Sequence, residues 1–207
     1  MNIKKMSLGP LGTNCYIVSE TNSAIIFDPG GEPEKIITYL EGENLNPKAI
    51  LLTHAHFDHI GAVDHVRDYY NIPVYVHELE DKWLGNPNLN GSALFPLGEI
   101  KSREPDFTLE IGEMVINDFH FEVKHTPGHS PGGVIFIFDK QGFVIAGDSL
   151  FKLGIGRTDL PGGNHEQLLN SIRECIFTLD DALIVYPGHG EDTTIKTERS
   201  QNPFLNI

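Results

Sequence analysis

Apolar residues along this chain come in short runs rather than in long periodic blocks. Segments 16–18, 24–27, 49–52, 74–76, 119–123, 134–138, 143–145 and 183–185 read as β-strands. Several are continuously apolar, as strands covered on both faces require. Between them, 34–40, 62–70, 78–84 and 166–179 carry helix-like patterns. In the last, Leu168, Leu169, Ile172, Ile176 and Leu179 fall near helical spacing and make one apolar face. Strands and helices mixed in this way, with turn signals throughout, predict α/β layers rather than an all-β sandwich. Segment 86–106 breaks the pattern, being rich in Asn, Gly and Pro without a clean period. A loop of that length inside a compact domain is a functional lid or is poorly ordered. No charge block or low-complexity tract marks a boundary, so 1–207 is expected to form a single domain.

Composition adds constraints of a general kind. With 40% hydrophobic and 21% charged residues, the chain has the make-up of an ordinary globular protein. A formal net charge of −14 argues against a nucleic-acid partner, because phosphate binding wants Lys and Arg in excess. The first ten residues hold basic side chains but no apolar run of signal-peptide length, and no stretch approaches a membrane span. Cys15 and Cys175 lie far apart without framework spacing, which favours two free thiols in a reducing cytosol. A cytoplasmic protein without a membrane partner is therefore expected. Its oligomeric state is left open.

The chemistry is concentrated where apolar runs end. Thr53-His54-Ala55-His56-Phe57-Asp58-His59 places four side chains that bind transition metals at i, i+2, i+4 and i+5. Three further candidates follow: His129 in Thr126-Pro127-Gly128-His129, Asp148 in Ala146-Gly147-Asp148, and His189 in Tyr186-Pro187-Gly188-His189. Turns that open with Thr or pass through Gly and then deliver a ligand recur in both halves, which suggests an internal duplication. Imidazole and carboxylate donors suit zinc, iron or manganese, and no Cys stands near these positions. Seven ligands exceed one ion's needs and match two. Paired ions about 3.5–4 Å apart can hold a hydroxide between them and polarise a substrate oxygen, so no Ser or Cys nucleophile is required.

Thr53-His54-Ala55-His56-Phe57-Asp58-His59-Ile60-Gly61 closely resembles the motif of the metallo-β-lactamase superfamily. Further strings narrow the resemblance to glyoxalase II-like proteins, the hydroxyacylglutathione hydrolases. They are Asp28-Pro29-Gly30-Gly31, Thr126-Pro127-Gly128-His129-Ser130-Pro131-Gly132, Ala146-Gly147-Asp148-Ser149-Leu150-Phe151, Gly156-Arg157-Thr158-Asp159, Pro187-Gly188-His189-Gly190 and the ending from Thr193 to Leu205. The resemblance implies an αββα sandwich of two mixed sheets flanked by helices. It implies that His54, His56 and His129 hold a first divalent ion, that Asp58, His59 and His189 hold a second, and that Asp148 bridges them. Asp58 would also steer the hydroxide. Zinc is the first expectation, with iron or manganese as alternatives.

The implied activity is hydrolysis of a small-molecule S-acyl thioester such as S-lactoylglutathione, with a thiolate leaving group. Three departures from the family pattern qualify it. β-Lactam hydrolases of the superfamily commonly use Cys where this chain has Asp148, which argues against that activity. The helical C-terminal domain that grips glutathione in long forms is missing from this sequence. Arg157 stands where the family places a basic residue for the glutathione carboxylate, but Asp159 replaces the aromatic partner two residues on. The alternative activity is a persulfide dioxygenase, which resembles the chain through the same strings and would hold one iron by His54, His129 and Asp148.

Other residues are left between two roles. Asp28 either hydrogen-bonds toward a ligand or merely ends a strand. Arg157 either anchors a substrate carboxylate or pairs with Asp159. His65, His77, His120, His125 and His165 are expected to be ordinary, partly exposed residues. Trp83, Phe95 and Leu97 are expected to anchor the long loop rather than line a pocket.

Overall fold

Parallel strands cannot be joined by a tight turn, so they need crossovers, and those crossovers organise the first half of the chain. The computed structural model describes residues 1–205. They cluster into two compact units, 1–109 with 115–119, and 110–114 with the chain from His120 onward. In the first unit β1 (Asn2–Leu8), β2 (Thr13–Glu20) and β3 (Ser23–Phe27) form an antiparallel meander. α1 (Pro33–Gly42) then crosses over to β4 (Asn46–Leu51). The short α2 (Phe57–Ile60) and α3 (Val63–Tyr70) cross to β5 (Val74–Val76), and β6 (Phe107–Thr108) closes the edge. β3, β4, β5 and β6 are mutually parallel neighbours.

Ile36 and Leu40 of α1 and Val63 and Val66 of α3 share a buried cluster with Ile17, Ile26, Ile50 and Val74 of the sheet. That shared apolar face, rather than helix propensity, holds these short helices in place.

The remaining strands are β7 (Gly112–Ile116), β8 (Phe119–His125), β9 (Val134–Phe138), β10 (Phe143–Gly147), β11 (Leu150–Phe151), β12 (Gly154–Ile155), β13 (Ile184–Pro187) and β14 (Thr193–Thr194). Among the described residues the two main sheets run β1-β2-β3-β4-β5-β6 and β14-β13-β10-β9-β8-β7, with β11-β12 a separate ribbon. In the second unit α4 (His165–Ser171) continues into a π-helical turn, Ile172–Ile176, and α5 (Ile195–Gln201) follows β14. Leu168, Ile172, Ile176 and Ile195 pack with Ile137, Val144, Ala146 and Val185. Two mixed sheets flanked by helices are the α/β class expected. β9 and β10 are buried at every position, as their unbroken apolar runs indicate.

Two of the expected helices are corrected. Segment 78–84 is not a helix but a 3-10 turn, Glu78–Glu80, followed by further turns. The helix expected over 166–179 is regular only to Ser171 before the π-helical turn. β1 and α5 went unseen because β1 mixes Asn and Lys with its apolar residues at an edge, and α5 buries only Ile195 and Glu198.

Segment 86–106 is not a loose lid. Buried Asn90 accepts from Ser92 N (3.0 Å) and donates to Ile100 O (2.9 Å), while its own carbonyl accepts from Phe57 N (3.0 Å). No helix among the described residues is long and apolar enough to cross a membrane. Cys15 and Cys175 are free thiols, and burial pushes the Cys15 thiol far up.

Ile26, fully buried on β3, tests the first core. Ile26→Ala is expected to lower unfolding free energy by about 2–5 kcal/mol, read as a shift in the urea midpoint.

Candidate metal centre

In an open α/β sheet, chemistry gathers beyond the carboxyl ends of the strands, where loops are free to diverge. In the first unit Asp28 follows β3, Thr53 to His59 follow β4, and His77 to Glu80 follow β5. Thr13, at the start of β2, lies at the same end, because β2 runs antiparallel to β3. Four of the seven expected ligands, His54, His56, Asp58 and His59, therefore lie on this rim, and all four are buried.

Asp28 organises them. Its Oδ1 accepts from Thr53 N (2.8 Å), and its Oδ2 accepts from the Thr53 hydroxyl (2.7 Å) and from His59 Nδ1 (3.0 Å). Its backbone is left-handed (φ 49°), a conformation that Asp visits more readily than most residues. Of the two roles left open for Asp28, the structure shows the one directed toward a ligand.

Tautomers follow from these partners. The Thr53 hydroxyl gives its one proton to Asp28, so at 3.0 Å it accepts from His54 Nδ1. His59 Nδ1 donates to the Asp28 carboxylate. In the neutral ring each arrangement leaves Nε2 as the unprotonated nitrogen, the form that binds a cation.

The His54 ring centroid lies 4.8 Å from that of His56 and 4.1 Å from that of His59. Trp83, buried in the core, lies beside His56 at 5.9 Å. Asp58 Oδ2 accepts from the Thr13 hydroxyl (2.8 Å) and is 3.7 Å from His59 Nε2. Gly30 permits this close assembly: a Cβ there would stand 1.9 Å from the Asp58 carbonyl oxygen.

The second unit carries the other three. β8 and β10 are each antiparallel to β9, and β13 is parallel to β10. The carboxyl ends of β8, β10 and β13 therefore share one rim, and from it project His129, Asp148 and His189. His129 Nδ1 donates to Arg157 O (2.7 Å), which again leaves Nε2 deprotonated. Asp148 Oδ2 is 3.5 Å from His129 Nε2 and 3.6 Å from His189 Nε2. A Cβ on Gly156 would lie 2.0 Å from the Asp148 carbonyl oxygen and 3.0 Å from His129 Nδ1. Thr126 and Ser149 hydroxyls (2.9 Å) tie the His129 and Asp148 loops together.

These spacings fit cation ligands. Donors about 2.1 Å from one tetrahedral zinc stand about 3.4 Å apart, too far for a good hydrogen bond between them. The 3.5, 3.6 and 3.7 Å separations match that figure.

The other histidines divide. His65 is exposed and His120 and His165 lie outside both sets. His125 Nε2 donates to Pro131 O (2.8 Å). His77 corrects the expectation of partial exposure: it is buried, and its Nδ1 accepts from Leu79 N (3.3 Å) to cap the 3-10 turn. Arg157 pairs with Asp159 through two 2.7 Å hydrogen bonds and holds that carboxyl down at about 2. Thr13 and Glu80 escaped the sequence reading, since neither stands in a ligand-type string.

The chain matches the metallo-beta-lactamase superfamily over residues 8–189. A hydroxyacylglutathione hydrolase, GloC, from Haemophilus influenzae is 40% identical, with 100% of this chain and 99% of that protein aligned. Among solved structures, BLEG-1, described as a B3 metallo-beta-lactamase, is 49% identical with a TM-score of 0.97, all of both chains covered. TTHA1623 in a di-iron-bound form is 40% identical with a TM-score of 0.89, covering 98% of this chain and 100% of that one.

The Asp28 hydrogen bonds generate a test. Asp28→Asn puts an amide N–H against two donors and forces His59 toward the tautomer protonated at Nε2. Affinity for the ion that His59 binds should fall about 10–100-fold, measured by competition with a chromophoric chelator.

Proposed function

This chain belongs to the metallo-beta-lactamase superfamily, and from that premise we propose that it is a metal-dependent hydrolase of S-acyl thioesters, a hydroxyacylglutathione such as S-lactoylglutathione being the preferred class. The observation that carries the reading is Asp148, an aspartate rather than a thiol between two imidazoles. Full-length similarity to GloC supports the substrate class. In this reading the two units act together as one domain. His54, His56 and His129 would hold a first divalent ion and Asp58, His59 and His189 a second, with Asp148 available to both. When bound, such a pair lowers the pKa of water toward neutrality and polarises a carbonyl oxygen.

The chain's own residues supply orientation. Asp58, anchored by Thr13, accepts a hydrogen bond from the attacking water and aims it. Water oxygen bonds to the acyl carbon as its proton passes to solvent, the C–S bond breaks, and sulfur leaves as a thiolate stable enough to need no dedicated acid. Arg157 is the candidate for a carboxylate of the carrier thiol, exchanging Asp159 for it. The donor set suits zinc, iron or manganese. Zinc is proposed first, and the di-iron-bound relative supports iron.

Similarity to BLEG-1 supports a second reading, β-lactam hydrolysis. Zinc- or iron-reconstituted protein should remove thioester absorbance from S-D-lactoylglutathione, and His56→Ala should abolish that turnover. A fully metallated protein that leaves thioesters intact would sink the thioester reading. Turnover of a chromogenic cephalosporin would then select the β-lactam reading, and oxygen uptake on glutathione persulfide with one iron per chain a dioxygenase.

Asp159→Asn should lower KM for a carboxylate-bearing thioester by about fivefold or less and leave kcat unchanged, since exposed ion pairs are weak. Because Asp159 titrates at about 2, below its usual 3.8, its pairing is complete above pH 3.8 and fades only as pH falls through 2. The KM effect should therefore be flat from pH 5 to 9.

A further inference from the structure

Glu80 is fully buried, and its Oε2 accepts a hydrogen bond from the backbone N–H of Ala55 at 2.5 Å. A carboxylate is a costly group to place in a core, and packing alone would be served by an apolar side chain. That amide belongs to the residue between two of the histidines assigned above to the first ion.

The local backbone gives that contact its meaning. His56 is extended (φ −67°, ψ 149°). The bond to the Ala55 amide therefore fixes the peptide that links His54 to His56. The delivery of Glu80 is equally specific. His77 caps the 3-10 turn, Glu80 N donates to His77 O (2.9 Å), and Trp83 N donates to Glu80 O (3.0 Å). The same turn thus brings Glu80 to Ala55 and Trp83 beside His56.

We propose that Glu80 is a positioning residue for the first metal ion, fixing the relative placement of His54 and His56 through the Ala55 amide. The proposal rests on the metal reading above. Its test separates the two.

Wild type, Glu80→Gln, Glu80→Ala and Glu80→Asp are stripped with chelator and titrated with Zn(II) against a chromophoric competitor, and with Co(II) by visible absorption. Near-UV circular dichroism reports the fold of each. Gln keeps an acceptor of the same reach, so its affinity should stay within about threefold of wild type. Ala should bind the tighter ion about 10–100-fold more weakly, with altered Co(II) bands, the range seen for partners that orient metal ligands.

A folded Ala variant with wild-type affinity and spectrum overturns the proposal, as does equal weakening in Gln and Ala. Where Ala does not fold, Asp decides by the same two readings, because it keeps the charge and withdraws the acceptor by one methylene. Wild type that binds no ion would refute the metal reading instead.

Discussion

One buried carboxylate holds the first ligand rim together. Asp28 collects donors from Thr53 twice and from His59 once, joining the end of β3 to the end of β4 and to α2. It does so from a left-handed backbone whose cost, on the order of 1–3 kcal/mol, persists only where the surroundings over-determine it. Without its acceptor atoms, neither the His59 tautomer nor the Thr53 hydroxyl direction is determined, and through Thr53 the same applies to His54.

The principle repeats in the second unit with different chemistry. There a backbone carbonyl, that of Arg157, takes the Nδ1 proton of His129, so a single chain position presents both a cationic side chain and the acceptor that orients a ligand. Three imidazoles are thus fixed as Nε2 donors by three different acceptors: a hydroxyl, a carboxylate and a peptide oxygen. The first rim also buries Asp28, Asp58 and Glu80 beside the imidazoles. Carboxylates gathered in a low-dielectric rim are what divalent cations would balance, and the chain's acidic character suits that role without defining a partner.

Segments that carry no candidate ligand pack against those that do. The turn that begins at Glu78 holds Glu80 and Trp83 against the His54–His56 peptide, and the long 86–106 segment is tied through Asn90 to Phe57, next to Asp58. Irregular backbone of this kind is stable because its polar groups are satisfied internally, as Asn90 and Ser92 show with Ile100. The Phe57 and Phe95 rings, 5.1 Å apart, extend the same tie to the loop's apolar tip.

The α/β class, eight of the fourteen strands among the described residues, helices α1 and α3 and the two groups of ligand-type residues were legible from the sequence. Buried strands such as β9 and β10 are unbroken apolar runs, and His54, His56, Asp58 and His59 share one short string. Edge strand β1 and helix α5 were not legible, since each buries too few side chains to leave a period. Nor were the roles of Thr13 and Glu80, and Asp28 was left between two. Each acts across a sequence separation, 45 residues for Thr13 to Asp58 and 25 for Glu80 to Ala55, on a partner that only strand order brings near. A string can name donors, because donor chemistry belongs to the residue. Which nitrogen each imidazole offers, and which carboxylate faces which amide, depends on hydrogen bonds between residues far apart in sequence, and those the tertiary structure alone decides.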